Sequence, residues 1–413
     1  MRDTELYQHL LGLTSPWTVE RVGLDTKEGR VDVWAQHKPS AEWSCPECSQ
    51  ACALHDHDEE RVWRHLDSCQ FQTFLHARVP RIRCKQHGVR QVRVPWAEPR
   101  SRFTLLFERL AIDVLTETDV LGAAQILRIS WDEAHHIMER AVERGLARRE
   151  RKVPRRLGVD EKSLARGHRY ATILCNLTEG TVVELREGRK KASLEACLDA
   201  LPQDELAGIE AVAMDMWEPY IRVIQQRVPD GDIKIVFDRF HIMMHINEAV
   251  DRVRRRENRA LVETGDDRLK GTKHFWLYAW ENLPEKHLST FSELKAQNLK
   301  TSRAWAIKEQ LRELWRCTDY DQAREHWRRW YFWASHSRLE PVKRVARMIR
   351  DHLVNVLTYF EHRITNAASE ALNSTIQMIK KRAFGFRSFR NFRTAVLFRC
   401  GGLQLYPATH PIV

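Results

Sequence analysis

The sequence predicts a multidomain α/β protein, because three stretches of the chain follow three different patterns. Clustered cysteines and alternating strands mark the first 100 residues, a helical period begins at Phe103, and apolar runs that end on an acid begin at Leu157. A chain of 413 residues is long enough for two or three domains with separate cores. We expect a metal-binding β domain, a helix-turn-helix domain, an α/β domain in two parts and a helical insertion that interrupts it, at 1–100, 101–152, 153–250 with 345–413, and 251–344.

The composition is that of a globular protein with a basic excess. Hydrophobic residues make up 43% and charged residues 30% of the chain, and no run of about 18 apolar residues could span a membrane. Acids stand near the N-terminus, where a secretory signal needs an apolar core, so we expect a cytoplasmic protein with reduced cysteines. The net charge of +11 favours nucleic acid as a partner, although any single basic block could be a solvated helix face. The basic residues concentrate in three blocks, Arg148–Arg156, Arg252–Arg259 and Lys380–Arg393.

Five of the nine cysteines lie within residues 45–84, and this clustering favours a metal site over disulfides in a reducing compartment. C-P-E-C at 45–48 and C-K-Q-H at 84–87 each place two ligands two residues apart, the second directly after a strand expected over Phe74–Cys84. These motifs predict a closed tetrahedral site for one structural Zn2+, with the ligands Cys45, Cys48, Cys84 and His87. Further Cys and His residues nearby leave the ligand set open: Cys52, His55, His57 and Cys69.

The helical period that starts near Phe103 predicts one helix, followed by a second at Val120–Leu127. Ser130 and Glu133 form a capping box, so a third helix is expected to start at Trp131. Helix, short turn and capped helix is the helix-turn-helix plan, with an ordinary helical pair as the alternative. The basic run that follows favours DNA binding. The candidate DNA contacts are Ser130, Trp131, His135, Arg148 and Arg149, with Lys380, Lys381 and Arg382 near the C-terminus.

Three apolar segments each end on an acid. Leu157–Val159 is followed by Asp160, the segment from Ile209 by Asp215, and the segment from Ile233 by Asp238. A hairpin of two strands and a helix are expected between the first two segments, at Tyr170–Cys175, Thr181–Leu185 and 192–201.

This order of elements, three antiparallel strands, a helix, and then strands alternating with helices, is the plan of an RNase H-like domain. Asp160 and Asp215 would then lie on adjacent strands at one edge, where carboxylate oxygens suit two Mg2+ or Mn2+ ions. The alternative role for Asp215 is to cap a helix that begins at Trp217-Glu218-Pro219.

The segment 252–340 is helical, charged and rich in tryptophan, and we interpret most of these tryptophans as core residues. A helix at Val345–Phe360 is expected to return the chain to the α/β domain. The following segment carries an acid near the start of a helix that ends in basic residues. Composition alone leaves three candidates for a third acidic ligand, Glu340, Glu361 and Glu370.

Four motifs give the chain a resemblance to the DDE transposases of the ISL3 family of bacterial insertion sequences. They are L-G-V-D-E-K-S, A-M-D-M-W-E-P-Y, F-D-R-F-H and the C-terminal run T-N-A-A-S-E through N-F-R, at 157–163, 213–220, 237–241 and 365–393. The resemblance extends over nearly the whole chain, including the cysteine-rich segment and the helix-turn-helix. One departure is A-A-S between Asn366 and Glu370, where relatives tend to have a glycine and a charged residue.

The resemblance implies that Asp160, Asp215 and Glu370 form a metal-binding triad, and that Asp238 and His241 form a D-x-x-H element. A helix-capping acid and a packed histidine are the alternative for the last two. It further implies an enzyme that binds terminal inverted repeats and target DNA, cleaves and joins strands, and acts as a homodimer or higher oligomer near the nucleoid. Two other classes remain open: a zinc-stabilised DNA-binding regulator without catalysis, and an RNase H-like nuclease that cuts without joining.

Overall fold

The computed structural model describes residues 2–150, 152–165, 169–364 and 367–407, and the chain divides into two compact units. The first unit comprises Met1–Arg149 with Ile379–Val413, and the second comprises Glu150–Met378. The segment 345–413, which the sequence assigns to one domain, is therefore divided between the two units.

A six-stranded sheet forms the N-terminal part of the first unit. Its strands follow the order β1-β2-β5-β4-β3, and β6 pairs with β5. The predicted alternation is present in β2, where Val31 and Val33 are buried. Four tryptophans supply the largest side chains of the core, Trp17, Trp43, Trp63 and Trp96. The elements are α1 (Asp3–Leu10), β1 (Trp17–Asp25), β2 (Arg30–His37), β3 (Trp43–Ser44), β4 (Ala51–Ser68), β5 (Phe71–Cys84) and β6 (Gly88–Gln91).

Three helices follow in the first unit, α2 (Leu105–Glu117), α3 (Val120–Leu127) and α4 (Trp131–Arg148). The predicted capping box is confirmed: Glu133 N donates to Ser130 Oγ at 3.2 Å, and Ser130 N donates to Glu133 Oε2 at 2.9 Å. The helix-turn-helix plan is thus set by local signals that stand in the sequence.

The second unit contains a five-stranded sheet in the order β11-β10-β7-β8-β9. β10 runs parallel to both β7 and β11, whereas β8 is antiparallel to β7 and to β9, which confirms the predicted hairpin. The prediction that the first strand ends at Asp160 is wrong, because residues beyond it continue to pair with β8, as Glu161 does with Thr172. The strands are β7 (Arg156–Ala165), β8 (Arg169–Asn176), β9 (Thr181–Glu187), β10 (Ala211–Met214) and β11 (Ile235–Phe237).

Helices surround this sheet and build the insertion. Five of the seven tryptophans of the insertion are buried, as the sequence predicts for core residues. The single helix predicted over Val345–Phe360 is wrong: three helices cover it, and Asn355 Nδ2 donates to Asp232 O at 2.6 Å. The helices are α5 (Lys191–Leu198), α6 (Glu218–Arg227), α7 (Gly231–Lys234), α8 (Arg239–Glu263), α9 (Lys273–Leu277), α10 (Leu288–Ala296), α11 (Lys300–Arg312), α12 (Tyr320–His336), α13 (Glu340–Asp351), α14 (Leu353–Leu357), α15 (Tyr359–His362) and α16 (Ala367–Arg382).

The last helix, α17 (Phe389–Cys400), packs in the first unit, although it lies at the other end of the sequence. Arg399 Nη2 donates to Leu115 O at 3.1 Å, and Tyr406 Oη donates to Asp113 Oδ1 at 2.5 Å. Both acceptors belong to α2, so the C-terminal segment completes the helix-turn-helix part. Within the described residues, every helix is too short or too polar to cross a membrane.

Candidate active site and metal centre

Asp160 and Asp215 are carried by two neighbouring parallel strands, β7 and β10. The last pair in their register joins Ala213 to Gly158, and each aspartate follows its member of that pair by two residues. Asp215 directly follows the last residue of β10, whereas Asp160 lies inside β7. Both side chains are half-buried. The pairing of β7 with β10 therefore brings the two carboxylates to one side of the sheet, although only Asp215 stands at the end of a strand.

His241, in the first turn of α8, lies between two acids. Its Nδ1 is 3.1 Å from Asp215 Oδ2 and its Nε2 is 3.8 Å from Asp238 Oδ2. The contact of Nδ1 with Asp215 is close but lacks hydrogen-bond alignment. Burial raises the pKa of Asp215, but His241 outweighs burial and leaves the pKa below its ordinary value. Conversely, Asp215 raises the pKa of His241. The contact thus favours the ionised form of Asp215.

The alternative role of Asp215 as a helix cap is not realised. The N-cap of α6 is Trp217, and it makes no side-chain capping hydrogen bond. Among the residues that the structure describes, Asp215 Oδ1 accepts from the next backbone amide, Met216 N, at 2.8 Å. Asp238, in contrast, does cap its helix: it accepts from Phe240 N at 2.9 Å. The capping role left open for Asp238 therefore coexists with its position beside His241.

Asp160 is tied to the helix that carries Glu370. Asn373 Nδ2 on α16 donates to Asp160 Oδ2, and Glu161 N donates to Asp160 Oδ1 at 2.6 Å. Burial raises the pKa of Asp160, and these hydrogen bonds offset only part of the effect. Asn373 was not foreseen in the sequence, although it lies one turn after Glu370 on the same side of α16. Glu161, also unforeseen, is half-buried, and burial and both aspartates raise its pKa.

Glu370 is exposed in the first turn of α16. Within the described residues, the only group of three or more Cys, His, Asp or Glu ligand atoms within 4.8 Å of one another is in the N-terminal sheet domain. Glu370 therefore lies on the helix that Asn373 attaches to Asp160. Its carboxylate does not join the two aspartates in such a group. Thr365 and Asn366, part of the motif before Glu370, lie outside the described residues.

Gly158 allows α16 to approach β7 closely. A Cβ atom at this position would lie 2.7 Å from Ser369 Oγ and 2.8 Å from Leu177 Cδ2. Ser369 is buried one residue before Glu370. A side chain at 158 would therefore push against the turn of α16 that presents Glu370.

We expect Gly158→Ala to lower the free energy of unfolding by about 1–3 kcal/mol through overpacking. Urea titration measures the effect. Gly208→Ala is the matched control, because no atom of the described residues outside its immediate chain neighbours lies within 4 Å of a Cβ there. Equal behaviour of the two variants would contradict the close-approach argument.

Cys45, Cys48, Cys84 and His87 form the group of ligands in the first unit. Cys48 Sγ and Cys84 Sγ are 3.7 Å apart, and His87 Nδ1 is 3.6 Å from Cys45 Sγ and from Cys84 Sγ. A tetrahedral Zn2+ has bonds of about 2.3 Å to sulfur and about 2.0–2.1 Å to nitrogen. These bonds place two sulfur ligands about 3.8 Å apart, and a sulfur and a nitrogen ligand about 3.6 Å apart. The four residues therefore fit one closed zinc site.

The surroundings of the quartet also suit a metal. Glu47 Oε2 lies 3.6 Å from His87 Nε2, so a carboxylate orients the ring nitrogen that faces away from the site. Backbone amides of His87 and Gln86 lower the pKa of Cys84 to about 7, which favours the thiolate that binds metal. The accessory candidates lie outside the quartet: Cys52 donates to Gln50 O at 3.3 Å, and His57 stacks on His37.

The DNA-contact candidates of α4 differ in exposure. The Ser130 side chain caps the start of α4 and accepts from a backbone amide there, and Trp131 is 43% exposed. His135 is only 8% exposed and stacks on Trp131 with ring centroids 4.9 Å apart. The buried His135 ring is thus placed to hold the exposed Trp131 ring in position. Burial lowers the pKa of His135.

The basic candidates at the ends of α4 and α16 contact the chain itself. Arg148 Nη1 donates to Tyr406 O at 2.6 Å, and Arg149 Nη2 donates to Gly401 O at 3.4 Å. Arg382 Nη1 donates to Glu117 O at 3.4 Å. Lys381 and Arg382 are exposed, and Lys380 is half-buried. Arg151, within the first basic block, lies outside the described residues.

Comparison with known protein families gives three matches along the chain. Residues 157–396, more than half of the chain, match a transposase domain of the ISL3 family. Residues 41–87 match the zinc finger of the transposases of IS204, IS1001, IS1096 and IS1165, and residues 92–142 match the helix-turn-helix domain of transposase family ISL3.

Two similar proteins extend over almost the same length. The transposase for insertion sequence element IS1557 of Mycobacterium tuberculosis is 27% identical over 94% of this chain and 93% of its own. The transposase for insertion sequence element IS1001 of Bordetella parapertussis is 27% identical over 95% of this chain and 97% of its own. The three domain matches and these relatives define the class of protein as a transposase of an insertion sequence. The chain belongs to the ISL3 family.

Proposed function

We propose that this transposase binds the terminal inverted repeats of its insertion sequence and catalyses metal-dependent DNA cleavage and strand transfer. The observation that carries the proposal is the parallel pairing of β7 with β10, which brings Asp160 and Asp215 close together beside the helix of Glu370. Two half-buried carboxylates close together suit a metal-dependent enzyme better than a regulator without catalysis.

The sheet of the second unit supports an RNase H-like arrangement of this site. Three antiparallel strands come first in the chain, and the two later strands add in parallel on the far side of β7. β7 is thereby central, and its neighbour β10 delivers the second acid. Asp215 lies beyond the carboxyl end of β10, where sites form in open sheets with parallel strands.

The donor set suits hard divalent ions. Asp160, Asp215 and Glu370 offer only carboxylate oxygens, which Mg2+ and Mn2+ prefer, and they would hold two ions. When bound, such ions activate the attacking water or 3′-hydroxyl and stabilise the leaving oxygen of an in-line displacement.

The remaining residues of the site would hold these carboxylates in place. His241 lowers the pKa of Asp215, and Asp238 caps the start of α8, the helix that carries His241. Asn373 orients the carboxylate of Asp160 and fastens α16 to β7. Each of these contacts reduces the motion of a ligand group, which is the role of residues behind a metal site.

The first unit would bind DNA. The zinc ribbon and the helix-turn-helix would recognise the terminal inverted repeats, with Trp131 exposed at the start of α4, and the basic residues would contact phosphates. The other partners that we propose are target DNA and further copies of the chain assembled on the two ends.

A strand-transfer assay tests the proposal. The purified protein is incubated with Mg2+, a labelled duplex that carries the terminal repeat, and a supercoiled target plasmid. Labelled products joined to the plasmid support a transposase with strand-transfer activity. Cleaved ends without joined products indicate a nuclease of the same fold, and binding without either product indicates a regulator.

A further inference from the structure

The connection between α16 and α17 exposes one aromatic side chain completely. Phe384 is 100% exposed, whereas the next most exposed large apolar side chain that the structure describes, Phe332, reaches 66%. Phe386, two residues later, packs against Phe392 with ring centroids 5.4 Å apart. The two phenylalanines of one short loop therefore have different roles: Phe386 packs in the protein and Phe384 does not.

The backbone at Phe384 is also unfavourable for this residue type. Phe384 N donates to Lys381 O and Gly385 N donates to Lys380 O, both at 3.1 Å. This pair of hydrogen bonds ends α16 in a Schellman motif, in which glycine usually takes the left-handed position. Here Phe384 occupies that position with φ 50°, and Gly385 follows with φ 102°. Neither packing nor backbone conformation thus favours a phenylalanine at 384 in the isolated protein.

The surroundings of Phe384 fit a polyanion. From residue 371 to the end of the sequence there are seven Lys and Arg residues and no Asp or Glu. Exposed basic residues flank the loop on both sides, namely Lys381, Arg382, Arg387 and Arg390. An apolar ring among cations is complementary to a nucleic acid, which offers phosphates outside and base faces inside.

Contacts within the first unit hold this loop on the helix-turn-helix part. Arg382 Nη1 donates to Glu117 O at the end of α2, and Arg390 Nε lies 3.3 Å from Glu139 Oε1 on α4. Arg399 on α17 donates to Leu115 O at 3.1 Å. Phe384 is therefore presented by the same compact unit that contains the helix-turn-helix.

We propose that Phe384 inserts its ring between base pairs of the double-stranded DNA that the first unit binds. The proposal rests on the terminal-repeat binding proposed above and adds a residue that opens one base step. Apolar wedges of this kind unstack and kink duplexes, and the ring gains contact with bases at the step that it opens. Phenylalanine has no polar side-chain atom, so this contact selects deformable steps and does not read base edges.

The test uses the whole chain without divalent metal, so that no strand is cut. The probes are terminal-repeat duplexes with single 2-aminopurine substitutions, whose fluorescence rises where a base is unstacked. We expect a rise at one step with the unsubstituted protein and none with Phe384→Ala. The Kd of Phe384→Ala for the repeat duplex should be about 5- to 150-fold higher, which is the contribution of base stacking on an aromatic ring. Phe384→Leu should retain part of the signal, and Phe332→Ala, the matched exposed phenylalanine, should behave like the unsubstituted protein.

Three results would overturn the inference. The first is binding of the repeat by the unsubstituted protein with no fluorescence rise at any position, which leaves the proposed function intact. The second is an unchanged Kd and signal in Phe384→Ala. The third is a loss of self-association in Phe384→Ala, measured by sedimentation without DNA, which would assign the ring to a protein contact. If the unsubstituted protein fails to bind the repeat at all, the proposed function fails together with the inference.

Discussion

Asp215→Asn is expected to abolish both DNA cleavage and joining, with a loss of roughly 10³-fold or more. The reason is that a metal clamp contributes several kcal/mol to such a displacement, and an amide is a poor ligand for it. The substitution keeps the shape of the side chain and the hydrogen bond that Oδ1 accepts from Met216 N. Rates of single-turnover cleavage and of joining in Mg2+ measure the effect.

The fold and the DNA affinity of this variant should remain unchanged, because the carboxylate of Asp215 supports no helix cap. Asp321→Asn is the matched control, since Asp321 is an acid with 82% side-chain exposure elsewhere in the same unit. Full joining activity of Asp215→Asn would remove Asp215 from the site. Equal losses in both variants would point to a general effect of charge.

Cys84→Ser is expected to reduce the zinc content from about one ion per chain to none and to destabilise the N-terminal domain. Cys84 contacts two of the other three ligands, Cys48 and His87, and its thiolate is the most favoured by the backbone. The sheet domain has a core of its own, so we expect partial destabilisation, with a loss of about 2 kcal/mol and a Tm lower by about 8–16 °C. Elemental analysis and thermal unfolding measure these changes.

Cys52→Ser is the control for the zinc prediction. Cys52 is also half-buried near the quartet, but it lies outside the group of ligands. We expect this variant to retain zinc and thermal stability. Loss of zinc from Cys52→Ser, or its absence from the unsubstituted protein, would contradict the ligand set.

Features that depend on local signals could be predicted from the sequence. The two-residue spacing within C-P-E-C and C-K-Q-H already brings ligands together in pairs, and the structure adds only the strand pairing that joins the pairs. The start of α4 was predictable for the same reason, since Ser130 and Glu133 satisfy each other's backbone amides. In both cases the interacting groups are few residues apart.

Features that depend on distant partners could not be predicted. The strand through Asp160 continues because β8 pairs with its polar second half, and Asn355, inside α14, finds its hydrogen-bond acceptor at Asp232, more than 100 residues earlier. Asn373 lies within the C-terminal run, but nothing in the sequence distinguishes it from its neighbours. Its hydrogen bond to Asp160 forms because α16 packs on β7. The hydrophobic periodicity of a sequence indicates which residues face a core, but it does not indicate which element will supply a hydrogen-bond partner.

The order of synthesis has a consequence for the first unit, because α17 is one of its helices. The zinc ribbon and α2–α4 leave the ribosome first, but α17 begins roughly 240 residues after Arg149, which at 5–20 residues per second is a delay of about 12–50 s. The nascent chain therefore lacks the helix that closes its DNA-binding part until the second unit has been made. A chain released before α17 carries an unfinished DNA-binding unit, and we expect it to compete poorly with finished copies for the ends of the element.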